Sequence, residues 1–402
     1  MPVPTPFHPR TLALCESLSF RDWSGFYAPS SYESHHEHEY HAIRQAAALI
    51  DVSPLFKYLV TGPDATRLVD RVIARDATRV AVGQVIYAVW CDEHGYVVDD
   101  GTLTRVAENA WRWTAADPTL RWLRQNAARL DVTIEDITEQ VAALAVQGPT
   151  SAAVLRRVAG AVIERLAYYR AADAEIAGVP VSISRTGYTG DLGYEIWIPA
   201  DRALAVWDTL MREGRAFGIR PAGMLALDVA RIEAGLLLID VDYHGVRKAQ
   251  TAGQRYTPFE LGLGRLVQTG ASPFVGRAAL ARLQGAPPAR QIVGLEISWE
   301  AVEALFAAAG LPPQAPSTAS RVPVPVYQGR RQVGRATSTT WSPVLKRLLA
   351  LATLDAPHYA IGTRVEVETT VEAVRYRVPA QVVRLPSFKP DRKTATPPGL
   401  RA

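Results

Sequence analysis

Residues 184–198, SRTGYTGDLGYEIWI, decide both the fold and the candidate site. Residues 181–184, which lead into this segment, and residues 194–198, which end it, are predicted to be β-strands. Gly187, Gly190 and Gly193 recur at every third position between them, and glycine lets the backbone turn with positive φ and approach a ligand closely. The segment therefore predicts two strands joined by a bend that faces a ligand. A plain glycine-rich hairpin is the alternative.

Two side chains of this bend favour the ligand interpretation. Tyr188 lies at its tip, and Glu195 follows the last glycine. A carboxylate presents two acceptors side by side, which match a heterocycle edge that offers two adjacent N–H donors. The 2-amino-4-oxo edge of a pterin is such an edge. We therefore predict that Glu195 and Tyr188 bind a cofactor of this kind.

A second acidic element lies upstream, at Asp99 and Asp100. Alternation in residues 84–90, a turn at residues 92–95 and a returning strand predict a β-hairpin that these two acids close. Neighbouring residues of a strand point to opposite faces, so one acid at most can face a given pocket. The alternative is that both acids are solvated turn residues.

Three motifs follow one another along the chain in the order typical of one family: GYVVDD at residues 95–100, RTGYTGDLGYE at 185–195 and RPAGMLALDVARIEAGLL at 220–237. The sequence resembles the glycine-cleavage T-protein (aminomethyltransferase) family of tetrahydrofolate enzymes from about residue 20 to about residue 385. The resemblance implies tetrahydrofolate as cofactor, no metal, and Asp100 as the catalytic residue that stabilises positive charge growing on N5. It also implies a set of cofactor-binding residues: Glu195, Tyr188, Tyr87, Tyr168, Tyr169 and Leu55.

The sequence departs from the family pattern on the substrate side. Leu227 stands where the family's GARD segment has arginine, Pro54 stands where its DVSHMG segment has histidine, and residues 113–117 replace a VNAAN-like segment. These changes favour a demethylase-like member that moves a methyl or one-carbon group from a small methoxy, sulfonium or methylamine compound to N5.

Two alternatives remain open. The first is an authentic glycine-cleavage aminomethyltransferase, which would need a lipoyl carrier protein as partner. The second is a non-catalytic folate-binding protein of the kind that carries a KGCYxGQ motif. The absence of any cysteine after Cys91 disfavours this second alternative.

An internal repeat predicts the architecture. The segment VTGPD at residues 60–64 and the segment VQGPT at residues 146–150 each follow a strand pattern and precede an amphipathic helix pattern. Beyond the Pro-rich residues 286–288, short strands with glycine turns predict a small β-barrel. The fold class is therefore α+β, with four predicted parts: an N-terminal arm (1–33), a folate-binding region of two similar subdomains (34–285), a C-terminal barrel (289–388) and a disordered tail (389–402).

Composition narrows the range of partners and compartments. The 402 residues are 48% hydrophobic and 21% charged, and 44 basic residues nearly balance 40 acidic ones. No basic surface for nucleic acid is expected, and no apolar run is long enough to cross a membrane. The N-terminus lacks the apolar segment of a signal peptide. Two cysteines without a metal-binding spacing fit a reducing cytoplasm.

Two polar clusters have no assigned role. The histidines of residues 35–41 invite a metal hypothesis, although histidines at a helix start are usually solvated. Residues 242–257 form a polar stretch in which Tyr243, His244, Arg247 and Lys248 could line a substrate entrance. His244 is also a candidate proton donor to the leaving group. The alternative for this stretch is a solvated insert.

Overall fold

The computed structural model describes residues 1–270 and 272–395. It confirms the α+β class. The elements before the C-terminal domain, in chain order, are α1 (His8–Leu14), β1 (Phe20–Trp23), β2 (Phe26–Pro29), α2 (Glu37–Gln45), β3 (Ala47–Asp51), β4 (Phe56–Thr61), α3 (Ala65–Val72), β5 (Val85–Cys91), β6 (Val97–Ala107), β7 (Ala110–Ala115), α4 (Leu120–Asn126), β8 (Thr133–Asp136), β9 (Val141–Gln147), α5 (Ser151–Ala159), β10 (Ala171–Ile176), β11 (Val179–Ser184), β12 (Gly193–Pro199), α6 (Ala203–Gly214), β13 (Ile219–Pro221), α7 (Met224–Glu233) and α8 (Arg277–Leu283).

Two sheets form the large N-terminal region. The first has the strand order β5-β6-β7-β4-β8, and the second has the order β10-β11-β12-β9-β3-β13. Helices α3 and α4 contact the first sheet, while α5 and α6 contact the second. The repeated Gly-Pro turns lead into α3 and α5, where Gly62 and Gly148 have nearly equal φ values of +119° and +124°. The predicted strand–turn–helix units are therefore present in both sheets.

The first sheet packs one face against α3 and α4, whereas the second sheet packs one face against α5 and α6 and the other partly against α2 and α7. On β7, Trp111 and Trp113 pack into the core beside α3 and α4. Arg112 between them points the other way, and its guanidinium carbon lies 4.2 Å from the ring centroid of Trp197 on β12. The side chain of Arg112 therefore reaches from the first sheet to the second, and Trp197 lies on β12, which begins at the end of the bend of residues 184–198.

The C-terminal domain is a closed barrel, as predicted. Its elements are β14 (Arg290–Ile297), α9 (Trp299–Ala308), β15 (Val324–Gln328), β16 (Arg331–Ser342), β17 (Arg347–Asp355), β18 (Arg364–Val371) and β19 (Val374–Val383). The strand order around the barrel is β14-β17-β16-β15-β18-β19. A buried arginine joins the barrel to α7, because Arg231 donates to Ser338 Oγ at 2.8 Å and to the carboxylate of Asp242.

The two chain ends contain regular structure. The arm, which looks irregular in sequence, forms α1 and the β1–β2 hairpin, and Arg10 pairs with Asp208 at 2.7 Å. Of the predicted disordered tail, residues 389–395 include a short 3₁₀ helix (Asp391–Lys393) that contacts the large region. Residues 396–402 lie outside the described residues. No helix of the described ranges is long and apolar enough to cross a membrane, and both cysteines there are buried and unpaired.

Candidate functional site

The predicted strands of the glycine-rich segment are β11 and β12, which pair antiparallel with Ser184 opposite Glu195. The predicted reason for the glycines is correct only at Gly190, whose φ is +75°. At Gly187 and Gly193 the reason is space, because an added Cβ would lie 2.1 and 2.0 Å from Oε1 of Gln147. The bend is therefore shaped by a side chain that packs beneath it.

Gln147 holds this bend from the neighbouring strand β9. Its Nε2 donates to the carbonyls of Thr186 and Tyr194, each at 3.2 Å, and Thr189 Oγ1 donates to its Oε1 at 2.9 Å. The side chain has no solvent exposure. A buried amide whose donors and acceptor are used in this way fixes the backbone around it.

The C-terminal segment covers the bend from outside. Arg392 donates to both carboxylate oxygens of Asp191, at 2.6 and 2.8 Å. Arg185 donates in return to the carbonyl of Ala395 at 2.8 Å, and the Arg44 guanidinium lies 4.1 Å from the ring centroid of Phe388. We call residues 388–395 the C-terminal latch.

Glu195 lies on the same face of β12 as Trp197, the residue that Arg112 contacts. Its Oε2 accepts a 2.5 Å hydrogen bond from Thr186. Burial raises the pKa of Glu195, and the bond from Thr186 and the charge of Arg112 partly oppose that rise. The carboxylate therefore keeps one oxygen oriented by the protein while the other can accept from a ligand.

Asp99 and Asp100 point to opposite faces, as the alternation of β6 predicts. Asp99 lies opposite Trp90, is fully buried, and accepts from the backbone of Asp117 at 3.2 Å. Asp100 lies on the other face, where its Oδ2 accepts from Tyr87 at 2.6 Å and its Oδ1 accepts from Tyr243. Burial raises the pKa of Asp100, and the two tyrosine hydroxyls partly counteract this.

Electrostatic contacts connect the two acids through tyrosines. Burial and the charge of Asp100 raise the pKa of Tyr87 well above its usual range, and Tyr188 and Tyr169 add to that effect. The charge of Glu195 in turn contributes to the raised pKa of Tyr169, although burial is the main cause. Backbone contacts connect the same elements: the amide of Val85 on β5 donates to the carbonyl of Tyr169 at 2.9 Å, and the amide of Tyr169 donates to the carbonyl of Arg185, next to β11, at 3.1 Å. Asp100 and Glu195 therefore border one shared region.

The other predicted residues lie around this region. The Tyr188 hydroxyl donates to the carbonyl of Leu237, and the rings of Tyr168 and Tyr169 meet edge to face with centroids 4.6 Å apart. Leu55 packs beside α2 and α7, and its carbonyl accepts from Lys57 at 2.7 Å. The predicted residues are all half-buried rather than sealed in a core, as side chains lining a cavity are.

The polar stretch of residues 242–257 is not a simple solvated insert. Tyr243 is 1% exposed and reaches Asp100, a role that the sequence did not suggest. Lys248 pairs with Asp117 at 2.8 Å. His244 lies 3.6 Å from Asp240 and is partly exposed, so its predicted role as proton donor stays a prediction.

The histidine-rich helix start shows ordinary polar contacts. His38 Nδ1 lies 2.6 Å from Glu33 Oε2 on the surface. Within residues 1–270 and 272–395, no group of three or more His, Cys, Asp or Glu side chains is arranged to hold a metal ion.

This geometry can accept a flat heterocycle with a hydrogen-bonding edge. Glu195 offers an acceptor, Arg112 has buried N–H groups without partners among the described residues, and the tyrosines supply apolar walls. Asp100 adds a carboxyl group whose two oxygens are oriented by Tyr87 and Tyr243. These groups fit a reduced pterin, whose edge carries both donors and an acceptor.

The fold of the chain is similar to that of a solved structure. The chain matches the crystal structure of the glycine cleavage system aminomethyltransferase T from Bartonella henselae with a TM-score of 0.82 and 23% sequence identity. The match covers 97% of this chain and 99% of that chain. The molecule therefore has the fold of that protein.

Family models then identify the family. The GCVT N-terminal domain matches residues 16–271, and the glycine cleavage T-protein C-terminal barrel domain matches residues 308–389. The chain belongs to the glycine-cleavage T-protein family, as its motifs predict.

Similar curated proteins have two different names. An aminomethyltransferase of Symbiobacterium thermophilum is 35% identical over 89% of this chain and 91% of its own length. A trimethylamine-oxide aldolase of Ruegeria pomeroyi is 36% identical over 96% of this chain, but over only 47% of its own length. The chain therefore spans about half the length of that relative.

Proposed function

We propose that the protein transfers a methyl or one-carbon group from a small methylated compound to tetrahydrofolate. One observation carries the proposal: Tyr87 on β5 donates to Asp100, and backbone hydrogen bonds connect β5 through Tyr169 to Arg185, beside the strand pair that carries Glu195. Family membership supports the reaction class, since the named relatives include aminomethyltransferases.

Each side chain has a distinct task in this proposal. Glu195 would accept from the N–H donors of the pterin edge, and Tyr87, Tyr169 and Tyr188 would contact the ring system. The cofactor supplies N5, a nucleophilic amine at neutral pH, as the acceptor of the carbon group. Asp100 would stabilise the positive charge that N5 gains while its bond to the carbon forms and the bond between that carbon and the donor's nitrogen, sulfur or oxygen breaks, so that the demethylated compound leaves.

The environment of Asp100 suits this task. Tyr87 and Tyr243 hold its two oxygens, so the carboxylate needs no reorganisation when charge develops. Preorganised groups in water-poor sites typically account for roughly 3 kcal/mol, or about a hundredfold in rate. Burial strengthens the interaction because the local dielectric constant is low.

The substrate side favours a methylated donor over an aminomethyl group on a carrier protein. Leu227 lies within α7, in the apolar core shared with β3 and β9, where the family resemblance calls for arginine. Pro54 is buried at the place of the family's histidine. Among the methoxy, sulfonium and methylamine classes, the relative named trimethylamine-oxide aldolase favours a methylated amine compound.

A second candidate is the glycine-cleavage aminomethyl transfer, for which a lipoyl carrier protein would be the partner. It is supported by the similarity to aminomethyltransferases over nine-tenths of their length. One experiment separates the candidates: the purified protein is titrated with tetrahydrofolate by calorimetry and then supplied, in separate reactions, with methylated amines, sulfonium compounds, methoxy compounds and an aminomethyl-loaded lipoyl carrier protein. A methylated folate product supports our proposal, a methylene-bridged product from an aminomethyl carrier supports the second candidate, and binding without product contradicts both.

Asp100→Asn tests the catalytic assignment. We expect unchanged tetrahydrofolate affinity and about a hundredfold slower turnover, since the amide keeps the size but not the charge. Asp99→Asn is the matched control, because burial raises the pKa of Asp99 well above its usual range and its side chain faces away. Normal turnover by Asp100→Asn would show that the assignment is wrong.

A further inference from the structure

Arg112 is the one basic residue of β7, and its side chain points toward the second sheet. It stands between Trp111 and Trp113, which both pack into the helix-side core, so alternation places its side chain on the opposite face. Its side chain is only 6% exposed, and its guanidinium covers the ring of Trp197.

The guanidinium is incompletely satisfied. Among the residues that the structure describes, neither Nε nor Nη2 of Arg112 has a hydrogen-bond partner. Stacking on Trp197 uses the face of the group and leaves its N–H edge free. Burial lowers the pKa of Arg112 to about 9, against the opposing charges of Glu195 and Asp173, so the group is still charged at pH 7. A buried charge without partners is costly, which indicates that a ligand completes its surroundings.

Glu195 is an acidic residue whose charge acts on Arg112. It lies two residues from Trp197 on β12 and therefore on the same face, about 7 Å along the strand from the position that Arg112 covers. Thr186 occupies Oε2 of Glu195. The two strands together thus present a carboxylate acceptor and a cationic donor that face the same space.

This pair complements a particular order of groups. The edge of a 4-oxopterin carries the 2-amino group, N3–H and the 4-oxo oxygen in sequence, which is donor, donor and acceptor. Oε1 of Glu195 and the second lone pair of Oε2, beside the bond from Thr186, match the two donors, and a guanidinium N–H matches the oxygen with a charge-assisted hydrogen bond. A 4-amino pteridine has a donor in place of that oxygen and would leave Arg112 unmatched.

We propose that Arg112 donates to the 4-oxo oxygen of the bound pterin and thereby makes the site select 4-oxo over 4-amino pteridines. This inference rests on the proposed function, because it names the group that recognises one end of the proposed cofactor. Selectivity of this kind follows from the cost of leaving a buried polar group unpaired.

The test compares two ligands and three proteins by calorimetric binding, without turnover. Tetrahydrofolate and its 4-amino counterpart are titrated into the wild type, Arg112→Met and Arg121→Met. Methionine keeps an apolar stem over Trp197, and Arg121 is an exposed arginine of α4 that serves as the matched control. We expect the wild type and Arg121→Met to prefer tetrahydrofolate by at least about tenfold.

Arg112→Met should lose about tenfold to a hundredfold in tetrahydrofolate affinity and change its affinity for the 4-amino ligand by less than about threefold. Its apo melting temperature should be equal to or above that of the wild type, because an unpaired buried charge has been removed. A lower melting temperature with equal losses for both ligands would overturn the proposal, since Arg112 would then only shape the cavity. Unchanged ligand preference would overturn it as well. If the wild type binds no tetrahydrofolate, the proposed function itself fails.

Discussion

The buried lysine Lys57 offers a quantitative test of how strongly burial disfavours a charged side chain close to Leu55 of the candidate site. Its side chain has no solvent exposure, and Nζ donates to the carbonyls of Ser53 and Leu55, each at 2.7 Å. Burial lowers the pKa of Lys57 from 10.5 to about 7, although the charges of Asp51 and Asp136 oppose the shift. This difference corresponds to about 5 kcal/mol.

The sign of the effect on stability follows from proton binding. Between pH 10.5 and pH 7 the unfolded chain holds a proton on Lys57 that the folded chain has released. The unfolding free energy therefore falls by up to about 1.4 kcal/mol for each pH unit as the pH is lowered through this window, and the penalty is constant below it.

Lys57→Met removes this titration while it keeps an unbranched side chain. Urea unfolding of both proteins at pH 7, 8 and 9 gives the difference in unfolding free energy, wild type minus variant. The two lost hydrogen bonds add an offset that does not depend on pH. We expect the difference to rise by about 2 kcal/mol from pH 7 to pH 9.

Lys389→Met, at an exposed lysine of the latch, is the control, because it removes the same formal charge from the surface. A wild-type-minus-Lys57→Met difference that is flat or falls between pH 7 and pH 9 would refute the claim that burial lowers the pKa of Lys57.

Three further predictions concern the bend, the acid and the latch. Gly193→Ala should lower the unfolding free energy by about 2 kcal/mol because its Cβ meets Gln147, whereas Gly253→Ala, where the nearest atom is 3.9 Å away, should stay within about 0.5 kcal/mol in the same urea assay. Tyr243→Phe removes a hydrogen bond that lowers the pKa of Asp100, so the acidic limb of the pH–rate profile should move to higher pH; an unmoved limb would contradict this. Arg392→Ala should speed hydrogen exchange in residues 185–192 with little loss of global stability, since the Arg392 side chain is 41% exposed; equal exchange would show that the latch does not hold the bend.

Local patterns were enough to predict much of the fold. Period-two alternation assigned Asp100 and Asp99 to opposite faces, and the repeated Gly-Pro turns predicted the strand–helix units. The small barrel followed from short strands with glycine turns. Each of these features depends on residues that are close in sequence, so it can be predicted from the sequence alone.

The missed features depend on contacts between distant segments. Tyr243 lies 143 residues from Asp100, and nothing near it in sequence indicates that its hydroxyl is buried there. Arg112 between two tryptophans resembles the exposed residue of a half-buried strand, because the second sheet that covers it is far away in the chain. The glycines at 187 and 193 were correctly singled out for the wrong reason, since Gln147 comes from another strand.

The latch also has a consequence for the order in which the protein is made. Arg392 and Asp191 are 201 residues apart, and at roughly 5–20 residues per second a ribosome needs about 10–40 s to travel between them. Throughout that interval the nascent chain carries the glycine bend without its outer cover. A shortened polypeptide that stops after the barrel would keep the bend uncovered permanently. The latch therefore completes the surroundings of the candidate site, although Glu195 and Asp100 both lie elsewhere in the chain.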